Sequence, residues 1–204
     1  MPAVEPWREA VWRAVPEGAV PERFVARRSF LLGHVRGGER VLDLGCGDGA
    51  FAAELVTAGC SVTAVDVAEE AVRRARVRVP AADVRRVEEG VALPFAEDAF
   101  DVVWAGEVLE HVADVVGLLA EVRRVLRWDG TLLATTPHHG RVSVAALALR
   151  GRLEDHFDPR ADHLRFFTAR SLRAVLEAAG FRVVTVDAVA GVPLLRQGLH
   201  AVGR

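Results

Sequence analysis

The sequence predicts an α/β protein: a doubly wound, largely parallel sheet with helices on both faces. Two observations carry this. Short apolar runs rich in Val, Leu and Ala alternate with amphipathic segments along most of the chain, the order that builds strand–helix–strand units. Three glycines in five residues, Gly45-Cys46-Gly47-Asp48-Gly49, also close the first apolar run and open the first amphipathic one. Such a turn lets a ligand approach bare backbone beside a helix N-terminus.

The elements follow in order. Arg40–Leu44 reads as a strand, and from Asp48 to Ala58 the apolar positions Phe51, Leu55 and Ala58 recur at helical spacing until Gly59. Ser61–Val65 is a second strand and Ala68–Arg78 a second helix, stopped by Pro80. Val84–Glu88 is a weaker strand, Phe100–Trp104 a strong one, and Val112–Leu126 a helix. Asp129-Gly130 then turns into the strand Thr131–Thr136. Thr168 caps a helix running to Ala179, Gly180 closes it, and Phe181–Val189 and Gly198–Val202 are the last strands. Residues 1–35 and 137–167 stand outside the alternation.

A chain of 204 residues suits one domain over 1–204 with appendages. At 51% hydrophobic and 26% charged it has the balance of a globular core, not of a disordered chain. A net charge of −2 argues against a protein that coats nucleic acid. Cys46 and Cys60 make no disulfide framework. No apolar run reaches the ~18 residues of a membrane span, and the N-terminus has no signal-peptide pattern, so a cytoplasmic location is expected. Lys, Tyr, Asn and Ile are absent, and all 26 basic residues are Arg. A GC-rich genome explains this, and thermophily is compatible with it. Any proton transfer must therefore use His, a carboxylate or Cys.

Read alone, the glycine loop is ambiguous. Gly45-x-Gly47-x-x-Ala50 with Asp66 further on also satisfies a dinucleotide fingerprint. Asp43, two residues before the first glycine, would sit badly beside a pyrophosphate and suits a ligand with a cationic end. The ordered set VLDLGCGDG, VTAVD, LPFAEDAFDVV and EVLEHV resembles the class I S-adenosylmethionine-dependent methyltransferases, in particular the small-molecule group that includes the ubiquinone-pathway O-methyltransferases. The resemblance covers roughly residues 40–202. It implies a Rossmann-like sheet of seven strands in the order 3-2-1-4-5-7-6, the seventh antiparallel.

Carried over residue by residue, the resemblance implies a site for S-adenosylmethionine and its product S-adenosylhomocysteine. Gly45, Cys46 and Gly47 would line the methionine end, and Asp43 would face its ammonium. Asp66 would take both ribose hydroxyls, a charge-assisted contact, or cap the following helix, or both. Glu89, where the family often has Asp, would meet the adenine amino group. Gly90 or Val91 would offer backbone N–H groups to the ring, and Val67 would pack on its face. Ala105 and Gly106 would line the methionine channel, with His111 close by. In this scheme 36–136 is the cofactor half, 137–167 the acceptor loop, 168–204 the last helix and strands, and 1–35 a helical lid or a plain packing cap.

Methyl transfer needs a base only if the acceptor loses a proton as it attacks. His138, His139, His156 and His163 fall in the 137–167 stretch, beyond the carboxyl ends of the strands where open α/β sheets bind ligands. His138 and His139 rank first. The Glu107-x-x-Glu110-His111 cluster matches one associated with a divalent metal in ubiquinone-pathway enzymes. On a helix the three would share a face, but many relatives with the same ending need no metal, and none is expected here. The expected function is methylation of a small-molecule acceptor, at oxygen rather than nitrogen or carbon, by a monomer or homodimer without nucleic-acid partner. A nicotinamide-dinucleotide oxidoreductase and a catalytically silent S-adenosylmethionine-binding module are the alternatives.

Overall fold

A computed structural model describes residues 7–154, 157–158, 162–191 and 196–204. The helices are α1 (Trp7–Ala14), α2 (Phe24–Leu32), α3 (Ala50–Thr57), α4 (Glu69–Arg78), α5 (Val115–Val125), α6 (Arg141–Leu149) and α7 (Ala169–Ala178). The strands are β1 (Arg40–Leu44), β2 (Ser61–Asp66), β3 (Asp83–Arg86), β4 (Phe100–Gly106), β5 (Leu126–Pro137), β6 (Val183–Val189) and β7 (Gly198–Gly203). They form one sheet in the order β3-β2-β1-β4-β5-β7-β6. Strands β1 to β5 pair in parallel, and β7 runs antiparallel to both β5 and β6. This is the implied topology.

Alternate residues of each strand feed opposite faces. Leu42, Val103, Leu132 and Leu199 pack under α5 and α7 with Leu119 and Leu172. Val41, Trp104, Leu133 and Val202 pack on the other face, against Leu31 of α2 and Phe51 and Leu55 of α3. Both faces of the central strands are dry, which explains why they read as near-continuous apolar runs.

Several boundaries differ from the sequence reading. The helix expected over 112–126 starts only at Val115, after a separate 3-10 turn at Leu109–His111, because Asp114 caps α5 by accepting from Gly117 N at 2.9 Å. The fifth strand starts at Leu126, opposite Phe100, and a register shift between Phe100 and Val102 absorbs the extra residues that looked like a turn. The third strand stops at Arg86: Val87 N donates to Asp66 O at 3.0 Å, and the chain then leaves the sheet. Phe181 is buried just before the sixth strand, which starts at Val183. The 137–167 stretch also contains α6, none of whose residues is buried. No helix among the described residues is long and apolar enough to cross a membrane.

Candidate functional site

Gly45, Gly47 and Gly49 all have positive φ (71°, 55° and 83°), which only glycine adopts without strain. The turn is fastened from beneath: Gly45 N and Cys46 N both donate to Val65 O, at 2.8 and 2.9 Å. Space above it is equally tight. A Cβ on Gly45 would lie 2.5 Å from Val108 Cγ2, and one on Gly47 would lie 2.6 Å from the Trp12 ring. Asp66, at the end of β2, accepts from Gly47 N through Oδ2 (2.9 Å) and from Ala68 N through Oδ1 (3.0 Å). It thus orients the loop and the start of α4 while lining the cavity. Each oxygen keeps acceptor capacity for a hydroxyl.

Beside this loop two opposite charges are buried with polar atoms left over. Asp43 is 1% exposed, and its Oδ2 has no hydrogen-bond partner. Burial first, and the charge of Asp66 second, push its pKa up to about 7. Arg27, on α2, lies under the end of β4 with its guanidinium 4.6 Å from the Phe51 ring centroid and its Nε unpartnered. Sequence reasoning missed Arg27. A cation set in the apolar stripe Phe24, Arg27, Leu31 was the available signal. Orphaned buried polar atoms are costly unless something meets them. An anion acceptor and a cation acceptor a short distance apart suit a ligand ending in an amino acid zwitterion.

A cavity of 660 Å³ opens from the loop across the carboxyl ends of β1, β2 and β4, within the range of small-molecule sites. Gly45, Asp66, Val67, Glu89, Gly90 and Val91 are in its wall, together with His111. Cys46 is buried in the turn, Ala105 is wholly buried, and Gly106 is packed under Arg27 and Trp104. These three, with Asp43 and Gly47, back the wall and are not part of its lining. The α1 helix roofs the cavity through Trp7, Arg8, Val11 and Trp12. It is pinned by two adjacent residues of its first turn. Glu9 accepts from Glu69 N and Glu70 N at the start of α4 (2.8 and 3.2 Å), where a carboxylate complements the helix dipole. Arg8 holds Glu89 by two contacts (3.2 and 3.3 Å) and donates to His111 O at 2.5 Å.

The histidines are dispersed. His138 N donates to Gln197 O, and its Nδ1 contacts Arg196 O at 3.2 Å. His139 is buried against Phe166, ring centroids 5.0 Å apart. Both sit in the bridge that joins the end of β5 to Phe167, outside the cavity wall. His163 packs edge-on to His111, centroids 4.8 Å apart. His156 lies outside the described residues. His111 does line the cavity, and its Nδ1 contacts Asp162 O at 3.0 Å. His200, on β7, is another the sequence reading passed over. Burial holds its pKa down at about 4, so the ring is neutral beside Phe30.

The Glu107-x-x-Glu110-His111 set does not converge as a helix would make it. Gly106 ends β4 and the 3-10 turn starts only at Leu109. Glu107 turns away to Arg23, at 2.6 Å. Glu110 is fully buried, and burial raises its pKa to about 8, with the Glu107 charge adding to it. Among the described residues, the group whose ligand atoms gather within 4.8 Å is Glu110, His111 and His163, without Glu107.

Comparison with known proteins places this geometry. A family profile described as "Methyltransferase domain" matches residues 17–186. The chain is 28% identical over 173 residues to the ubiquinone biosynthesis O-methyltransferase of Aeromonas salmonicida, covering 78% of this chain and 70% of that protein. It is 38% identical over 104 residues to the 27-O-demethylrifamycin SV methyltransferase of Amycolatopsis mediterranei, covering 48% of this chain and only 38% of that longer protein. In fold it is similar to a chain from the Haloferax volcanii complex with the Trm112 methyltransferase activator, at TM-score 0.78, 20% identity and 98% coverage of both chains. With the profile spanning most of its length, this chain belongs to the class I S-adenosylmethionine-dependent methyltransferase family.

Proposed function

We propose that this chain moves a methyl group from S-adenosylmethionine to an oxygen atom of a small-molecule acceptor. The observation that carries the reading is the pair of buried, incompletely partnered charges, Asp43 and Arg27, beside a glycine turn that Asp66 orients. In this reading Asp43 takes the ammonium end and Arg27 the carboxylate end. Asp66 takes the ribose hydroxyls, Glu89 the adenine amino group, and Gly90 or Val91 the ring nitrogens, with Val67 against the ring face. The bound sulfonium supplies an activated methyl group and a neutral leaving group. The chain's own work is alignment and exclusion of water, for which the α1 roof and the tight glycine turn are suited.

Oxygen is favoured as acceptor atom because the two curated relatives above are both O-methyltransferases by name. A hydroxyl acceptor must lose its proton to His, a carboxylate or water, since the chain has no Lys or Tyr. In this reading His138 and His139 take that role, with His163 next. No nucleic-acid or membrane-spanning partner enters this scheme. Calorimetric titration with S-adenosylhomocysteine tests the cofactor half, and its failure would overturn the whole reading. Incubation with methyl-labelled S-adenosylmethionine and a panel of phenols, hydroxy acids and amines tests the rest. Methyl ethers or esters are the expected products; exclusive N-methylation would refute the oxygen assignment.

A further inference from the structure

The cavity wall is charged out of proportion to the chain. Acidic and basic residues nearly balance overall, 28 against 26. Among the described residues, however, seven carboxylates line the cavity and Arg8 is the one arginine that does. Three of the carboxylates have a guanidinium close by: Glu89 has Arg8 at 3.2 Å, Glu107 has Arg23 at 2.6 Å and Glu121 has Arg124 at 2.8 Å. Burial raises the pKa of a fourth, Asp66, and weakens its hold on charge. Glu88, Asp114 and Asp162 remain. Among the described residues, Glu88 and Asp114 make no ion pair, and both are exposed at the cavity mouth. Asp162 Oδ2 lies 3.3 Å from His111 Nδ1, but burial lowers the pKa of that ring, so it is neutral and leaves the Asp162 charge uncompensated. A cleft lined by one sign of charge between low-dielectric walls concentrates its field inside.

The amino acid end and the ribose are identical in S-adenosylmethionine and S-adenosylhomocysteine, so Asp43, Arg27 and Asp66 would serve both alike. The sulfur differs. In the transfer the C–S bond breaks with its electron pair left on sulfur, a lone pair of the acceptor oxygen forms the new C–O bond, and the oxygen's proton goes to the base. A sulfonium cation becomes a neutral thioether. We propose that Glu88, Asp114 and Asp162 make the cavity charge-selective, so that it holds S-adenosylmethionine more tightly than S-adenosylhomocysteine and lets the product go. The ligand's identity rests on the methyl-transfer reading. The site itself rests on the wholly buried Asp43, whose Oδ2 has no partner beside the glycine turn, and not on the acidic residues alone. One unit charge acting over ~10 Å at an effective dielectric constant of about 40–80 changes an affinity by about twofold to fourfold. Three together should favour the sulfonium by about tenfold or more.

Calorimetric titration of the full chain with each of the two ligands, without any acceptor, is the test. The wild type is expected to bind S-adenosylmethionine about tenfold or more tightly than S-adenosylhomocysteine. That ratio should fall between ~0.05 and ~0.5 M NaCl, because salt screens exposed charges such as Glu88 and Asp114. Glu88→Gln and Asp114→Asn should each lower the ratio about twofold to fourfold, and both together with Asp162→Asn should bring it near one. Asn can still cap α5 in place of Asp114. The affinity for S-adenosylhomocysteine should barely move in these variants, which shows that fold and site are intact. Glu177→Gln, on α7 and outside the cavity wall, should keep the wild-type ratio. Equal wild-type affinity for the two ligands, or a ratio that salt and the single and triple variants leave unchanged, would overturn the proposal. Binding of neither ligand by the wild type would overturn the methyl-transfer reading and the proposal with it, so the two failures are distinguishable.

Discussion

Replacing Asp43 with Asn isolates the most unusual electrostatic feature of the site. Asp43 is wholly enclosed, and its pKa rises from 3.8 to about 7 because burial disfavours the ionised form. A raised carboxylate pKa means the folded chain holds a proton that the unfolded chain has released. Stability is therefore lost as pH climbs from the unfolded value toward the folded one, and the loss is complete above about 7. A shift of about 3 units corresponds to roughly 4 kcal/mol if felt in full. Between pH 5 and pH 8 the share that changes is about 2–3 kcal/mol. Asn cannot ionise, so Asp43→Asn should gain that much on the wild type over this interval, or about 5–10 °C in melting temperature. Glu110 and His200 also titrate abnormally, but they are common to both proteins and cancel in the difference. Thermal unfolding of ligand-free protein at several pH values is the assay. A difference that stays flat from pH 5 to pH 8, or widens toward acid, would refute the reasoning. With S-adenosylhomocysteine present the order should reverse, because the ligand's ammonium favours the ionised aspartate that Asn lacks.

Three further outcomes are expected. Asp66→Ala should weaken S-adenosylhomocysteine binding by on the order of tenfold to a hundredfold by calorimetry, since charge-assisted hydrogen bonds to the ribose would be lost; unchanged affinity would remove Asp66 from the site. Gly47→Ala should displace the α1 roof, because its Cβ would fall 2.6 Å from Trp12 on left-handed backbone. About 1–2 kcal/mol of stability should go with it, and tryptophan fluorescence should shift to the red; an unshifted spectrum would mean the roof does not rest on this glycine. Once an acceptor is known, His138→Ala or His139→Ala should lower kcat by about 10²–10⁴, leaving cofactor affinity nearly untouched. Full turnover in both would transfer the role to His163 or show that alignment alone suffices.

The scaffold was legible because its signals are local. Val41 and Leu42 face opposite cores, so β1 reads as unbroken apolar sequence, and the glycines that end it are required by backbone geometry before any ligand is considered. Asp66 could be placed from the strand that carries it. Two of the misread boundaries, those of the third and fifth strands, share one cause: a contact far away in sequence overrode a local pattern. Asp129-Gly130 looks like a turn, yet β5 runs through it because Leu126 finds Phe100 across the sheet. Glu9 gave no signal of its own, since its target, the N-terminus of α4, lies 60 residues on.

The motif Glu107-x-x-Glu110-His111 shows why spacing alone was insufficient for the rest of the site. The i, i+3, i+4 argument presumes helix, and helical residues would have carried all three side chains to one face. A left-handed residue at the strand exit reverses the chain direction instead, so Glu107 is delivered to α2 and Glu110 to the interior beside Thr136. The same conformation decides the electrostatics. Two carboxylates directed into one enclosed space would repel and need an added cation. Here Glu107 is paired with Arg23, and Glu110 is driven toward its protonated form by burial, with the Glu107 charge adding to it. The charge balance around the cofactor end thus depends on the backbone conformation of a single residue, a property that side-chain identity at fixed spacing does not encode.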